Sequence, residues 1–250
     1  MTSSTSSAGV ISKSLNGLPD PRFPQGVDLK VEARRSRRRL YPVSILYSAY
    51  SLSVLVTALA WGRHPAVVVG FFLAGISTWT YVEYLAHRYI LHGRFPDGDG
   101  FLERFLHQRF DHLHYEHHQR PWDGNHINGT IKDTLPVVAL VALLSFLAPL
   151  HTLPVLVAGI LQAYIAEEWV HHSVHFYRFD NRYFNYIRRH HLYHHSPKGM
   201  EVAFGLSNGF WDIVWDTRIS EEERIALYHG KRRPQPSPPE RERTMADVMS

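Results

Sequence analysis

The sequence predicts an all-α integral membrane protein in which four transmembrane helices form two hairpins and a helical cap lies on the cytoplasmic side. Three observations support this fold class: long apolar runs, a cluster of arginines before the first run, and groups of histidines between and after the runs. The 250 residues include no cysteine, which excludes disulfides and thiolate-held iron–sulfur clusters. The mean hydropathy of −0.23 does not contradict the fold, because the polar remainder is long and rich in histidine.

Three apolar runs supply the predicted spans. Residues 41–61 and 65–82 contain no Asp, Glu, Lys, Arg or His, and a third apolar stretch covers residues 134–166. A helix needs about 20 predominantly apolar residues to cross a bilayer. The third stretch has 33 residues, and Pro149 and Pro154 mark a turn near its middle, so we expect two short spans there.

Charge at the ends of the first run predicts the orientation. Five arginines crowd its entry, whereas its exit loop carries only Arg63. Under the positive-inside rule the N-terminus, residues 83–133 and the chain from residue 167 onward lie in the cytoplasm. A nucleic-acid patch is the alternative for this cluster, but its position directly before a span favours an orientation signal, and we expect no nucleic-acid partner. The five are Arg34, Arg35, Arg37, Arg38 and Arg39.

Composition divides the chain into three parts. We expect residues 1–40 to be a disordered basic segment, residues 41–230 to form one membrane domain, and residues 231–250 to be a disordered tail rich in proline and charge. The first 30 residues lack an apolar stretch of signal-peptide type. The expected location is a bacterial inner membrane or the endoplasmic reticulum, with the active site facing the cytoplasm.

Ten of the eighteen histidines form four tight groups, all on the predicted cytoplasmic side. Neutral imidazole is the commonest protein ligand for metals, and ten rings are too many for one ion, since structural zinc takes four ligands and catalytic zinc three. The supply predicts two metal ions held side by side. The groups are His87 and His92; His114, His117 and His118; His171 and His175; and His191, His194 and His195.

Helix geometry supports three of these groups. Residues three or four apart share a helix face, so the second, third and fourth groups can each converge on a site. His87 and His92 are five apart, about 140° around an α-helix, so they either serve different ions or are separated by a helix end. His172 lies three residues before His175 and could replace His171. The roles of His112 and His190 stay open.

A protein of another class could also use these residues. A membrane protein that stores, senses or transports divalent metal would carry many histidines. A transporter, however, is expected to place polar ligands near the middle of the bilayer, and the apolar runs lack them.

The histidine motifs resemble those of the membrane fatty acid hydroxylase and sterol desaturase superfamily over about residues 65–218. The similar segments are HRYILH at 87–92, HYEHH at 114–118, EEWVHHSVH at 167–175 and HLYHH at 191–195. The resemblance is closest to the fatty acid 2-hydroxylase branch, on the basis of HHQRPWD at 117–123 and FGLSNGFWDIVWDT at 204–217.

This resemblance implies a di-iron centre, held by the ten histidines, that uses O2 to oxidise a C–H bond of a fatty acyl chain or related membrane lipid. Zinc can replace iron during purification, because imidazole sites accept either metal. Glu168 and Asp123 are the candidates to orient ligand rings. A sterol or carotenoid desaturase or hydroxylase of the same superfamily is the alternative.

Two departures from the branch bear on partners and substrate. The chain shows no room for the cytochrome b5 domain that is often fused to eukaryotic 2-hydroxylases, so electrons are expected from a separate protein, either cytochrome b5-like or a ferredoxin with its reductase. Glu168 and His172 stand where the branch commonly has Asp and Tyr. The lipid substrate, and the choice between hydroxylation and desaturation, therefore stay open.

Overall fold

The structure, a computed structural model, describes residues 26–61, 64–93, 99–107 and 112–229. These ranges contain helices joined by turns and loops and include no β-strand, in agreement with the predicted all-α class. A π-helical turn at Ala86–Leu91 directly continues α2. The α-helices of the described ranges are α1 Leu29–Trp61, α2 Pro65–Leu85, α3 Phe101–Leu106, α4 His112–Gln119, α5 Ile131–Ser145, α6 Leu153–Phe176, α7 Arg182–His194, α8 Phe210–Val214 and α9 Glu221–His229.

Helix α1 begins earlier than the sequence suggested. The Asp28 carboxylate accepts a hydrogen bond from the backbone N–H of Lys30 at 2.8 Å, and the helix starts at Leu29. Residues 29–40 are therefore helical, although we expected the whole segment 1–40 to be disordered. Burial explains the difference, because Ser36 and Leu40 lie in the protein interior and only the other faces of this basic stretch meet solvent. Residues 1–25 and the tail 231–250 lie outside the described residues.

Three helices are long and apolar enough to cross a membrane: α1, α2 together with its π turn, and α6. The fourth predicted span is not among them. Helix α5 has 15 residues, and an α-helix of that length rises only about 22 Å, against a hydrocarbon core of about 30 Å. The turn that divides the third apolar run comes at residues 146–152, near the middle of the run as expected. Helix α6 is longer than α5 because it continues past the end of the run, at residue 166, to Phe176.

Helix α6 is central and packs against α1 and α2. Two glycines allow its closest approach to α2. A Cβ atom on Gly159 would lie 2.2 Å from the carbonyl oxygen of Phe72, and one on Gly75 would lie 2.1 Å from that of Leu156. Small residues at a helix crossing let backbones approach and increase van der Waals packing, which is the main source of helix association in membranes.

The histidine-bearing elements meet at the carboxyl ends of α2 and α6. The π turn lies at the end of α2, and His171 and His175 lie in the last two turns of α6. Helices α4 and α7 carry the remaining groups to the same place. The close crossing of α2 and α6 therefore fixes the positions of the two longest histidine-bearing helices relative to each other.

Candidate metal centre

All ten singled-out histidines come together in two clusters of five. Within each cluster the candidate ligand nitrogens lie within 4.8 Å of one another. The second cluster is completely buried, whereas His92 and His118 of the first are partly exposed. The first cluster consists of His87, His92, His114, His118 and His194, and the second of His117, His171, His175, His191 and His195.

The ring nitrogens have the spacing that a shared ion requires. In the second cluster Nε2 of His175 lies 2.8 Å from that of His191 and 3.2 Å from that of His171. In the first, Nε2 of His92 lies 2.9 Å from those of His114 and His194. Two nitrogens bound at right angles to one ion, each at about 2.1 Å, would be about 3.0 Å apart. The donor set therefore fits one metal ion in each cluster.

The π turn explains how His87 and His92 share a cluster despite their five-residue separation. The backbone N–H of His92 donates to the carbonyl of His87 at 3.1 Å, a bond across five residues instead of the four of an α-helix. Their rings lie 5.0 Å apart, centroid to centroid. Single π turns inside α-helices are rare, and those that occur are often found at functional sites. The sequence spacing suggested that the two histidines serve different ions or that a helix end separates them. Neither is needed, because the wider turn places both rings in one cluster.

Burial keeps the rings in the neutral form that binds metal. Burial, with a smaller contribution from positive charge on nearby His194, lowers the pKa of His92 to about 3 and that of His118 to about 2. The pKa of His194 falls to about 4 for the same reason, although its hydrogen bond to the Val202 carbonyl opposes the shift. Only a neutral imidazole has a lone pair to offer a metal.

Two rings of the first cluster are held by backbone carbonyls of one loop segment. Nδ1 of His194 donates to the carbonyl of Val202 at 2.8 Å, and Nδ1 of His87 donates to that of Phe204. Since a carbonyl can only accept, each bond places the proton on Nδ1 and leaves Nε2 free to point into the cluster. The tautomer of both rings is thereby fixed.

Two buried carboxylates hold this loop segment in turn. Asp212, 1% exposed, accepts from the backbone N–H groups of Phe204 at 2.9 Å and Gly205 at 3.0 Å. Glu83, on α2, accepts from the backbone N–H groups of Leu206 and Ser207, both at 2.7 Å. Sequence reasoning missed both residues. Asp212 lies within the FGLSNGFWDIVWDT segment that carried part of the family resemblance, so a signal was present without an assigned role.

The two carboxylates predicted to orient ligand rings make other contacts. Glu168 accepts from the side-chain amide of Asn128 at 2.6 Å and from the backbone N–H of Gly129 at 3.3 Å. Asp123 accepts from Nδ1 of His126 at 3.0 Å. Their hydrogen bonds support the loop between α4 and α5, because that loop, and not a ligand ring, lies against each side chain.

The structure also separates the histidines whose roles stayed open. Nε2 of His171 lies 3.1 Å from that of His117, inside the second cluster. His172 points away and its Nδ1 lies 2.7 Å from the Ser36 hydroxyl. Nε2 of His190 donates to Asp212 at 3.1 Å, so it belongs to the support of the loop. The side chain of His112 lies outside the described part of the structure.

A known protein family matches the part of the chain that carries both histidine clusters. The model of the fatty acid hydroxylase family matches residues 72–217, more than half of the chain and a range that includes both clusters. The chain belongs to the fatty acid hydroxylase family. The boundaries agree with the range of about 65–218 that the motifs indicated.

Several characterised members are similar in sequence. A fatty acid 2-hydroxylase of Rattus norvegicus is 31% identical over 162 residues, which cover 63% of this chain and 41% of the relative. The dihydroceramide fatty acyl 2-hydroxylase FAH2 of Arabidopsis thaliana is 29% identical over 57% of this chain and 58% of its own. The chain thus spans about two fifths of the length of the rat relative.

A solved structure shows the same fold. The hydroxylase domain visible in full-length scs7p superimposes with a TM-score of 0.60 and covers 72% of this chain and 67% of its own, at 23% sequence identity. The ceramide very long chain fatty acid hydroxylase scs7 of Schizosaccharomyces pombe is 30% identical over 64% of this chain and 46% of its own. The structural likeness shows that the two proteins share a fold.

Proposed function

We propose that the protein is an O2-dependent di-iron hydroxylase of a fatty acyl chain or a related membrane lipid. The observation that carries the proposal is the pair of adjacent five-histidine clusters, whose nitrogen spacings suit one metal ion each. The ten clustered histidines would be the ligands. A bound iron pair would supply the redox chemistry that activates O2 for attack on an unreactive C–H bond. Zinc could not supply it, because zinc is not redox-active.

The residues of the chain would control access and orientation. Burial of the second cluster excludes water from one side of the centre, which limits wasteful side reactions. His87 and His194 hold fixed tautomers through their carbonyl bonds, so the first cluster is organised before any ligand arrives. Glu168 and Asp123 would act on the centre only indirectly, through the loop between α4 and α5.

The substrate class is inferred from the relatives and from the position of the site. The similar proteins are named as hydroxylases of fatty acids, dihydroceramide or ceramide, and all of them are lipid enzymes. The clusters lie at the ends of helices long enough to cross a membrane, where an acyl chain could approach from the bilayer. The carbon next to the acyl carbonyl is the proposed position of oxidation.

The proposed topology places the active site on the cytoplasmic side of a bacterial inner membrane or the endoplasmic reticulum. The arginines at the start of α1 support this orientation through the positive-inside rule. Helix α5, though short, would form the fourth span with α6, giving two hairpins and a cap. The domain expected at residues 41–230 would then begin earlier, with α1 at Leu29. A separate cytochrome b5-like protein, or a ferredoxin and its reductase, would deliver two electrons per turnover.

An isotope experiment tests the proposal. The full chain is expressed with an electron donor under 18O2, and membrane lipids are analysed by mass spectrometry. We expect one 18O atom in a 2-hydroxy acyl product and none in a His117→Ala control that still inserts into the membrane. A new double bond without label would support the sterol or carotenoid desaturase alternative, and metal uptake without any lipid change would support a metal-binding or transport protein.

A further inference from the structure

The Asp212 carboxylate lies at the centre of a buried hydrogen-bond network. Besides the N–H groups of Phe204 and Gly205, it accepts from the Thr217 hydroxyl at 2.8 Å and from Nε2 of His190 at 3.1 Å. The backbone around this network is tightly packed, since a Cβ atom at position 205 would lie 1.8 Å from the carbonyl oxygen of Asn208. Asp212 is thus one of the two carboxylates that hold the loop.

Both histidines that this loop anchors belong to the first cluster. Phe204 accepts from His87 through its carbonyl while its N–H donates to Asp212, so a single peptide segment connects the carboxylate to a ligand ring. The Val202 carbonyl holds His194 two residues earlier. No member of the second cluster hydrogen bonds to the segment 202–207 within the described residues.

We propose that Asp212 is a positioning residue for one metal ion only, the ion of the first cluster. The inference rests on the proposed di-metal function and extends it, because it makes the two metal sites separately dependent on the protein around them. Glu83 supports the same segment from α2 and has the same role. Loss of an outer hydrogen-bond partner of a ligating histidine typically weakens metal affinity about 10- to 100-fold.

The test counts metal ions in the purified full chain. We expect Asp212→Asn to retain about one ion per chain where the unmodified protein holds about two, since only the first cluster weakens. Asp216→Asn is the matched control, because Asp216 lies four residues after Asp212 and its side chain is 91% exposed. Adding His117→Ala to Asp212→Asn should remove the remaining ion, because His117 belongs to the second cluster.

The outcomes separate the positioning role from the proposed function. Fewer than two ions in the unmodified protein would contradict the di-metal function itself. Two ions in both the unmodified protein and Asp212→Asn would contradict the positioning role alone. Loss of both ions in Asp212→Asn would also contradict it, because a general collapse of the centre is not selective. Circular dichroism at the helix bands establishes that the variant is folded.

The opposite side of α8 carries a second, independent observation. Phe210, Ile213 and Val214 expose 58%, 59% and 53% of their surfaces, and their spacing places them on one face of the helix. Patches of this kind mark contact with a protein or a membrane. The attachment of α8 to the rest of the molecule decides between these partners.

Helix α8 is fixed to a candidate membrane span. The Trp211 ring lies 4.5 Å from the Tyr81 ring, and its N–H donates to the Thr80 hydroxyl at 3.1 Å. Thr80 follows Pro65 by fifteen residues, a rise of about 22 Å along α2. A hydrocarbon core of about 30 Å that began at Pro65 would extend beyond this contact.

We infer that the exposed face of α8 docks into the acyl-chain region of the lipid bilayer. Val82, the α2 residue that follows Tyr81, is also an exposed apolar residue. An apolar helix face that lies beside a span at this depth contacts lipid rather than water. The helix would thus lie in the cytoplasmic leaflet beside the metal centre.

The absence of cysteine makes a spin-label test direct. Ile213→Cys carries a nitroxide in the full chain reconstituted in phosphatidylcholine vesicles, with Leu52→Cys on α1 as the lipid reference and Glu201→Cys as the aqueous reference. We expect the label at position 213 to collide more often with lipid-soluble O2 than with a water-soluble nickel complex, as at position 52. Collision rates like those at position 201 would overturn the inference, and so would low rates with both reagents, which indicate contact with a second protein copy.

Discussion

The two histidine clusters differ in how the protein holds them. The second cluster is built on regular α-helices, with His171 and His175 one turn apart on α6 and His191 and His195 one turn apart at the end of α7. The first combines a π turn with rings bonded to a loop. Helix spacing thus accounts for two pairs of rings in the second cluster, whereas hydrogen bonds from outside the candidate ligands orient two rings of the first.

Their surroundings differ in the same way. Nδ1 of His117, His175 and His191 is buried without a hydrogen-bond partner among the described protein groups, as is that of His195. In the first cluster His118 shares this feature, but His87 and His194 have carbonyl partners. Packing fixes the second cluster, whereas hydrogen bonds fix much of the first. The metal affinity of the first cluster should therefore change when residues outside the candidate ligand set are substituted.

The largest expected effect comes from removing a ligand. His117→Ala and His194→Ala each delete one ring, from the second and the first cluster respectively, and each should lower product formation more than about 100-fold. Elemental analysis should show about one ion fewer per chain in each variant. Equal loss of both ions in both variants would remove the distinction between the clusters.

A pair of neighbouring histidines sharpens the boundary of the second cluster. His171→Ala should remove the second ion, whereas His172→Ala should retain both ions, because His172 contacts Ser36 and not a ligand ring. Metal content of the two variants, purified in parallel, decides this. Retention of metal by His171→Ala together with its loss in His172→Ala would reverse the assignment.

A smaller effect is expected at Glu83. Glu83→Gln replaces a carboxylate that accepts from two backbone N–H groups and from the Ser207 hydroxyl. We expect the affinity of the first cluster for metal to fall about 10-fold and that of the second to stay unchanged. Competition against a chelator measures both affinities, and an equal change in the two would argue against separate support.

The smallest expected effect on metal is at Glu168. Glu168→Ala leaves the amide of Asn128 and the N–H of Gly129 without this acceptor, so we expect a loss of about 1 to 3 kcal/mol in stability. Metal content should not change, since no ligand ring bonds to Glu168. Thermal denaturation in detergent, with exposed Glu201→Ala as control, measures the first effect. Loss of an ion from Glu168→Ala would restore the role first predicted for it.

The same comparison shows what the sequence can predict. The motifs identified all ten histidines that cluster, and the apolar runs located the three long helices. Helical spacing did not predict how the histidines divide, because His117 and His194 each lie in a different cluster from the other members of their sequence group. The π turn was not predictable from HRYILH, because a helix with a widened turn has no distinct residue pattern there. The supports of His87 and His194 were missed because backbone carbonyls leave no trace in side-chain chemistry.

The length of α5 and the start of α1 were missed for a different reason. Hydropathy identified the run, and its prolines placed the turn near the middle, at residues 146–152. Neither shows that α5 has only 15 residues while α6 continues past the run to Phe176. The basic stretch at 29–40 was expected to be disordered because of its charge. This stretch is instead ordered by contacts with residues far away in the sequence, such as the hydrogen bond from the backbone N–H of Gly124 to Glu32.

The central claim is that ten histidines hold two metal ions side by side, and a metal count on the unmodified protein tests it most directly. The full chain is purified without chelators, supplied with Fe(II) under anaerobic conditions and measured by elemental analysis against protein concentration. We expect about two ions per chain, and zinc in place of iron would leave the count unchanged. One ion or none under these conditions would contradict the account.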